Sequence, residues 1–402
     1  VDHSTYADIE LKIVWTSDQA RHTERHYYQN INFWRDFFPG LLGDRLMNAA
    51  DGEWVTERLP ANDIVPAYEQ SNIATLNLNT ISPIGRAKIR VTPQQGRFFP
   101  RRIIAGHAGV TAEEFLPLRV TNVNDEQFTV DLNHPLARHD LEVSLRVVGE
   151  RYQGKEERGG RCNDVVYDAL MGGIGIEAPL ADGTDFYAEG AFNRVDESDD
   201  DVFYQQDRLI NHIDSTASAQ IASSYSHYLR PGMKILDLMS SWQSHLPTDI
   251  DDLDITGLGM NANEMTQNPQ LSRHVIHDLN QQTSLPFEDN QFDVTVCSLS
   301  IEYLVDPLKV MQEIIRVTRP GGRVMVSFSD RWFPPKAIII WQELHPFERL
   351  GMALDYFIKT DGLENIETES IQGLLRPEDD KYADKLLNSD PVFVVSASVA
   401  SE

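Results

Sequence analysis

Cysteine is nearly absent: Cys162 and Cys297 are the two in 402 residues. That is too few for a disulfide framework and fits a reducing compartment. No sulfur-rich cluster is present, so no metal site is expected. No apolar run approaches the roughly 20 residues that span a bilayer, and Val1 to Ile9 is too polar for a signal peptide. Basic residues are also scarce, 35 Lys and Arg against 62 Asp and Glu, for a net charge of -27. With no segregated basic patch, that charge repels a phosphate backbone. The expectation is a cytoplasmic, soluble chain with a small-molecule substrate and neither nucleic acid nor membrane as partner.

What is present is an ordinary globular composition, 41% apolar, 24% charged and 9% aromatic, long enough for two or three domains. Residues 1 to about 150 carry β-branched or alternating stretches at Ile9–Trp15, Lys88–Val91, Leu118–Val123 and Leu141–Val148, which predict a small antiparallel β domain. A glycine-rich and acidic connector follows, from Gly154–Gly160 to the run Asp196–Asp201, which is expected to be solvated. Within it, Cys162–Leu170 has a helix-like apolar spacing.

From Asp214 the pattern alternates between helices and strands. Asp214 is placed to cap a helix with Ala217, Ile221, Tyr225, Tyr228 and Leu229 on its apolar face, ended by Pro231-Gly232. Strands are predicted at Lys234–Leu238, Asp254–Leu258, Arg273–Ile276, Phe292–Cys297, Gly322–Phe328 and Pro391–Val399. Asp306 and Pro307 open a further helix that Pro320-Gly321-Gly322 ends. Strands alternating with helices predict a parallel sheet covered on both faces, with ligands outside the carboxyl ends of the strands.

Those ends carry Asp237–Trp242, Gly257–Asn261, His277–Asn280 and Ser298–Tyr303. With Leu285–Asp293 (LPFEDNQFD) and Arg316–Gly322 (RVTRPGG), the string from Ile235 to Phe328 resembles class I S-adenosylmethionine-dependent methyltransferases of the type 11 sort, over roughly residues 204–402. The resemblance implies a Rossmann-like doubly wound domain with S-adenosylmethionine as cofactor and S-adenosylhomocysteine as product. Asp237, Met239, Ser240, Ser241 and Trp242 would line its methionine part. Gly259, Met260 and Asn261 would approach the ribose and adenine, Asp278 and Leu279 the adenine, and Ser298 the sulfonium. Two departures stand out: Met239, Ser240 and Ser241 replace the glycines of the first loop, and Met260-Asn261 replaces the acidic residue after the second strand.

The N-terminal half carries a second resemblance. Val130–Ala137 followed by Leu141–Val147 is similar to the penultimate turn and last strand of SlyD-like FKBP-type prolyl isomerases, with support from Phe38–Leu42 and Ala61–Gln70. It implies a flap insertion over about residues 75–115 with Phe98 and Phe99 on its surface, a proline pocket drawing on Leu41, Leu42 and Tyr68, and a homo-oligomer contact through this domain. The family's glycine and aspartate on the early strand are missing; Gln19–Gln29 is instead a run of His, Arg, Glu and Tyr, which argues against isomerase turnover.

The expected organisation is an FKBP-like domain over 1–152, a connector over 153–202 and a methyltransferase domain over 203–402: α/β plus mostly-β. Catalytic candidates are Tyr303, His212, Tyr204 and Arg208, within a rim that adds Phe203, Arg331, Trp332, Phe333, Lys336 and His245. Aromatic walls suit a sulfonium and a small dry acceptor, and a small thiol or sulfide needs little base help. The alternatives are a protein methyltransferase to which the FKBP-like domain presents proline-containing chains, and a chaperone or binding module with an inactive methyltransferase scaffold. Cys297, Ile338, Ile339 and Trp341 read as core, and His134 as part of a turn.

Overall fold

The computed structural model describes residues 5–83, 91–154 and 162–401. The predicted strand at Lys88–Val91 and the connector's Lys155–Gly160 fall mostly or wholly outside them. The chain divides into two compact units, one of residues 1–17 and 28–188, the other of 18–27 and 189–402. The boundaries differ from the expected ones at both ends. Residues 162–188 pack into the first unit: Asp164 caps the helix Val165–Leu170, whose Val165, Val166, Ala169 and Leu170 are buried.

In the first unit, β1 (Thr5–Thr16) pairs antiparallel with β8 (Asp140–Gln153), and β8 with β3 (Val55–Pro60). Ile9, Leu11 and Ile13 lie opposite Val147, Leu145 and Val143, all essentially inaccessible. The alternation predicted for both strands is what buries them. A separate antiparallel sheet has the order β4 (Ile73–Asn77), β7 (Gln127–Asp131), β6 (Pro117–Val123), β5 (Phe98–Pro100). Its core is Ile103, Ile104, Leu118, Val120, Phe128 and Val130. Phe98 is buried rather than on a surface, with the Arg119 guanidinium 4.9 Å from its ring centre. Leu42 is fully buried, Leu41 exposed, and Tyr68 lies under Arg138, so these three do not form one apolar pocket.

β2 (Arg21–Asn32) was not predicted, and its residues up to Tyr27 belong to the second unit. Its buried positions within the second unit are polar: His22 bonds Thr368 Oγ1 at 2.8 Å, and the Ser370 hydroxyl donates to Glu24. An apolar-alternation rule cannot see such a strand.

The second unit is a sheet in the order β11 (Arg273–Ile276), β10 (Asp254–Gly259), β9 (Lys234–Leu238), β12 (Phe292–Ser298), β13 (Thr318–Phe328), β15 (Val392–Val399), β14 (Leu363–Gln372), then Arg21–His26 of β2. The five strands β9 to β13 are mutually parallel, while β15 runs antiparallel to both its neighbours. The sheet is therefore mixed, not wholly parallel. The helix Ser215–Ser226 starts at Asp214, whose carboxylate accepts the Ala217 N–H at 3.0 Å. It lays Ala217, Ile221 and Tyr225 on Ile235, Val294, Val296 and Met325, each large aliphatic contributing about 1.5–3 kcal/mol. Asp306 makes no capping bond; its carboxylate takes Lys309 instead, and Pro307 alone sets the start of Pro307–Val317. No described helix is long and apolar enough to cross a membrane.

Candidate active site

β9, β10 and β12 end on one edge of the sheet, and the loops beyond them enclose a cavity of about 610 Å³ with the loop after β13, part of the segment 200–212, and Lys381 and Tyr382. Three non-glycine residues in these loops take the left-handed backbone: Met239 (φ 55°), His245 (φ 53°) and Leu299 (φ 55°). Each costs on the order of 1 kcal/mol. Met239 thus adopts, under strain, the conformation a glycine would supply. Gly259 is required by space: a Cβ there would lie 2.2 Å from the Ser240 carbonyl oxygen, so the first two loops close directly on each other.

Asp237 is buried at the end of β9, where the Ser240 hydroxyl donates to it at 2.6 Å and burial pushes its carboxyl up to about 7. Asp278 Oδ1 accepts the Asn280 and Gln281 amides, whereas its Oδ2 is buried without a partner. Asn261 caps the short helix Ala262–Thr266: its Oδ1 accepts the N–H groups of Asn263 and Glu264, and its Nδ2 donates to Tyr204 O and Asp207. Its carboxamide therefore orders residues 204–207, while Asn261 itself lines the cavity. Glu264, not foreseen, lines the cavity and accepts from the Ser241 hydroxyl and the Arg208 amide, both at 2.6 Å. Its place three residues after a capping Asn was the available signal.

Met239, Ser240, Ser241, Gly259, Met260, Leu279 and Ser298 all line this cavity with Asp237 and Asp278. Trp242 does not; its indole N–H donates to Ile210 O at 3.1 Å and pins the overlying segment. These residues fit S-adenosylmethionine. The orphaned Asp278 oxygen is free to accept from an amine such as adenine's, Leu279 offers an apolar surface, and Asp237 is a carboxylate on the wall that an ammonium could meet.

The four catalytic candidates share the cavity wall but not one chemistry. The Tyr303 hydroxyl accepts the Phe333 N–H at 2.9 Å, and burial raises it well above the usual phenol range; it holds the loop after β13 and is not a base. The Tyr204 hydroxyl is likewise raised by burial and has no partner. Arg208 donates to Phe203 O and Gln206 O and lies 4.2 Å from the Phe203 ring centre; a guanidinium stays charged. His212 stands edge-on to Phe333 at 5.3 Å, and burial lowers its imidazole below the usual value, so it is neutral at pH 7 with an available lone pair.

Phe203 packs behind Phe333, and Lys336 is entirely buried outside the cavity. Lys336 pairs with Asp200 at 3.1 Å, which also takes Arg194 at 2.7 Å and Asn280 at 2.9 Å. The acidic run is therefore not a wholly solvated connector: Asp200 anchors it beside the cavity. His245 lines the cavity with Nδ1 bonded to Ser218 Oγ at 2.8 Å. Among the described residues no group of three or more His, Cys, Asp or Glu is arranged to hold a metal.

Residues 242–326 match the family described as methyltransferase domain. A demethylmenaquinone methyltransferase of Paenarthrobacter aurescens is 39% identical over 64 residues, 16% of this chain and 23% of the relative. One of Renibacterium salmoninarum is 30% identical over 107 residues, 26% of this chain and 45% of the relative. The chain thus spans less than half the length of either. A ubiquinone/menaquinone biosynthesis C-methyltransferase of Laribacter hongkongensis is 22% identical over 221 residues, 49% of this chain and 87% of the relative. Among solved structures, a chain from the complex of a Haloferax volcanii methyltransferase activator with a methyltransferase is 16% identical, covers 46% of this chain and 91% of its own length, and gives a TM-score of 0.33.

Proposed function

From the premise that residues 242–326 form an S-adenosylmethionine-dependent methyltransferase domain, we propose that this protein methylates a small nucleophile, a small thiol or sulfide first among them. The observation that carries the reading is the make-up of one cavity wall: an unpartnered Asp278 oxygen and the closely apposed Ser240 and Gly259 share it with a neutral His212 and the rings of Tyr204, Tyr303, Trp332 and Phe333.

When bound, S-adenosylmethionine supplies a methyl carbon whose bonding pair leaves with the sulfonium sulfur. Asp278 and Leu279 would hold the adenine, the apposed Ser240 and Gly259 would line the cavity beside the ribose, and Asp237 would receive the methionine ammonium. His212 takes the proton released when the acceptor S–H bond breaks, and the freed sulfur pair forms the new S–CH3 bond. The aromatic rings exclude water and favour positive charge. About 610 Å³ lies within the range of small-molecule sites, roughly 300–1,000 Å³.

The names of the relatives favour a second reading, methylation at carbon of an electron-rich ring. Incubating the full chain with S-adenosylmethionine and hydrosulfide, methanethiol or a demethylated naphthoquinol separates the two. Volatile methyl sulfides are expected, and product from the quinol alone would replace S-methylation with C-methylation.

We read the first unit as FKBP-like. Its Asn133 accepts from the Glu69 amide and the Asn72 carboxamide, and His134 accepts the Leu136 N–H while its Nε2 meets Leu170 O, as parts of a structural turn. A prolyl isomerase assay on the full chain is expected to give no turnover.

A further inference from the structure

The charges around the cavity do not cancel evenly. Its acidic groups are each accounted for. Asp200 is paired with Arg194 and Lys336. Asp237 is buried with Ser240, and Glu264 takes the Ser241 hydroxyl and the Arg208 amide. Asp278 faces the adenine position, and Asp330 is pushed up by burial and by Asp390. Among the described residues three cations share the lining: Arg208, Arg331 and Lys381. Arg331 is bound to Asp390 at 3.0 Å.

Among the described residues no carboxylate lies within ion-pair distance of Arg208 or Lys381; Asp380, beside Lys381 in the chain, pairs with Arg376 at 2.9 Å. The side chain of Arg208 meets two backbone carbonyls and the Phe203 and Phe333 rings, and Lys381 meets the Tyr382 ring at 5.1 Å. In a chain with 62 acidic and 35 basic residues, two such cations beside one cavity are unusual. Arg208 and His212 meet the same Phe333 ring, and Lys381 lines the same cavity.

We propose that the acceptor is an anion, a small thiol bearing a carboxylate, and that Arg208 and Lys381 bind that carboxylate while the thiol lies against His212. The inference rests on the methyl-transfer reading, which puts the acceptor against His212. Charge-assisted bonds to a carboxylate in a partly dry site discriminate strongly against a neutral or cationic analogue. The competing claimant is the methionine carboxylate of the cofactor itself.

Three thiols of similar size decide between them: mercaptoacetate, 2-mercaptoethanol and cysteamine, each titrated calorimetrically into the full chain saturated with S-adenosylhomocysteine. Mercaptoacetate is expected to bind about tenfold more tightly than 2-mercaptoethanol, with cysteamine weakest. In Lys381→Glu, at an exposed position, that order should reverse while S-adenosylhomocysteine affinity stays within about twofold. Equal binding of the three thiols overturns the proposal. So does a Lys381→Glu variant that loses S-adenosylhomocysteine affinity and keeps the mercaptoacetate preference, because the cation then holds the cofactor. Preference for mercaptoacetate without its methylation upholds the anion site and defeats the S-methylation reading.

Discussion

The two units treat their polar groups in opposite ways. In the first, His134 and Asn133 spend their hydrogen bonds on nearby backbone and side chains, and the open groove lined by Leu41, Asp44, Arg45, Glu53 and Val55 has Arg45 bonded to Thr56 O and Glu53 to Ala50 N. In the second, an Asp278 oxygen and the Tyr204 hydroxyl, both on the cavity lining, are buried without partners. Its backbone is strained there at Met239, His245 and Leu299. Satisfied polar groups build a scaffold; unsatisfied ones on a strained but well-packed frame are where a ligand completes the structure.

The strongest way to break this contrast is Gly259→Ala. Its Cβ would meet the Ser240 carbonyl at 2.2 Å, so S-adenosylhomocysteine affinity should fall by about a hundredfold by titration calorimetry. An unchanged affinity would mean that the apposition of the two loops does not shape the site.

Comparable in size is His212→Gln, expected to lower kcat by about a hundredfold while cofactor affinity holds. Because burial lowers the His212 imidazole, the wild-type rate should fall only at a pH below the ordinary imidazole range, where the base becomes protonated. That acid limb should vanish in the variant.

Asp237 tests the same unit through stability. Its carboxyl is raised from 3.8 to about 7, so between those values the folded state binds more protons than the unfolded one. Its contribution is fully present below pH 3.8 and lost as pH rises through 7. Asp237→Asn should therefore raise the melting temperature at pH 8, by roughly 2–8 °C, and do so less at pH 5.

Smaller still, Met239→Gly should stabilise the chain by about 1 kcal/mol in thermal melts by releasing the left-handed strain. In the first unit, His134→Ala should cost about 1–2 kcal/mol of stability and leave S-adenosylhomocysteine affinity unchanged. A loss of affinity there would erase the distinction between scaffold and site.

Much of this was legible in the sequence where burial is apolar. The central strands from Lys234, Asp254, Arg273 and Phe292 lie as the runs of β-branched residues predict, and the residues at their ends line the cavity. Legibility failed where the buried face is polar. β2 hides His22 and Glu24 against Thr368 and Ser370, and β14, which carries those two hydroxyls, is likewise missing from the predicted strands. The site was misread for a related reason: sequence names donor types but not their commitments. Asn261 and Tyr303 have suitable chemistry for binding or catalysis, yet both are engaged as local supports. Glu264 and Lys381 reach the cavity from places that no strand-end rule marks.

The cofactor is expected to complete the open Asp278 oxygen of the second unit. Calorimetric titration of the full chain and of Asp278→Ala with S-adenosylmethionine and S-adenosylhomocysteine tests it most directly. The account predicts saturable one-to-one binding of both by the full chain, weakened about tenfold in the variant as the adenine amine loses its acceptor. Absence of binding to either form by the unaltered chain, or equal binding by Asp278→Ala, would contradict it.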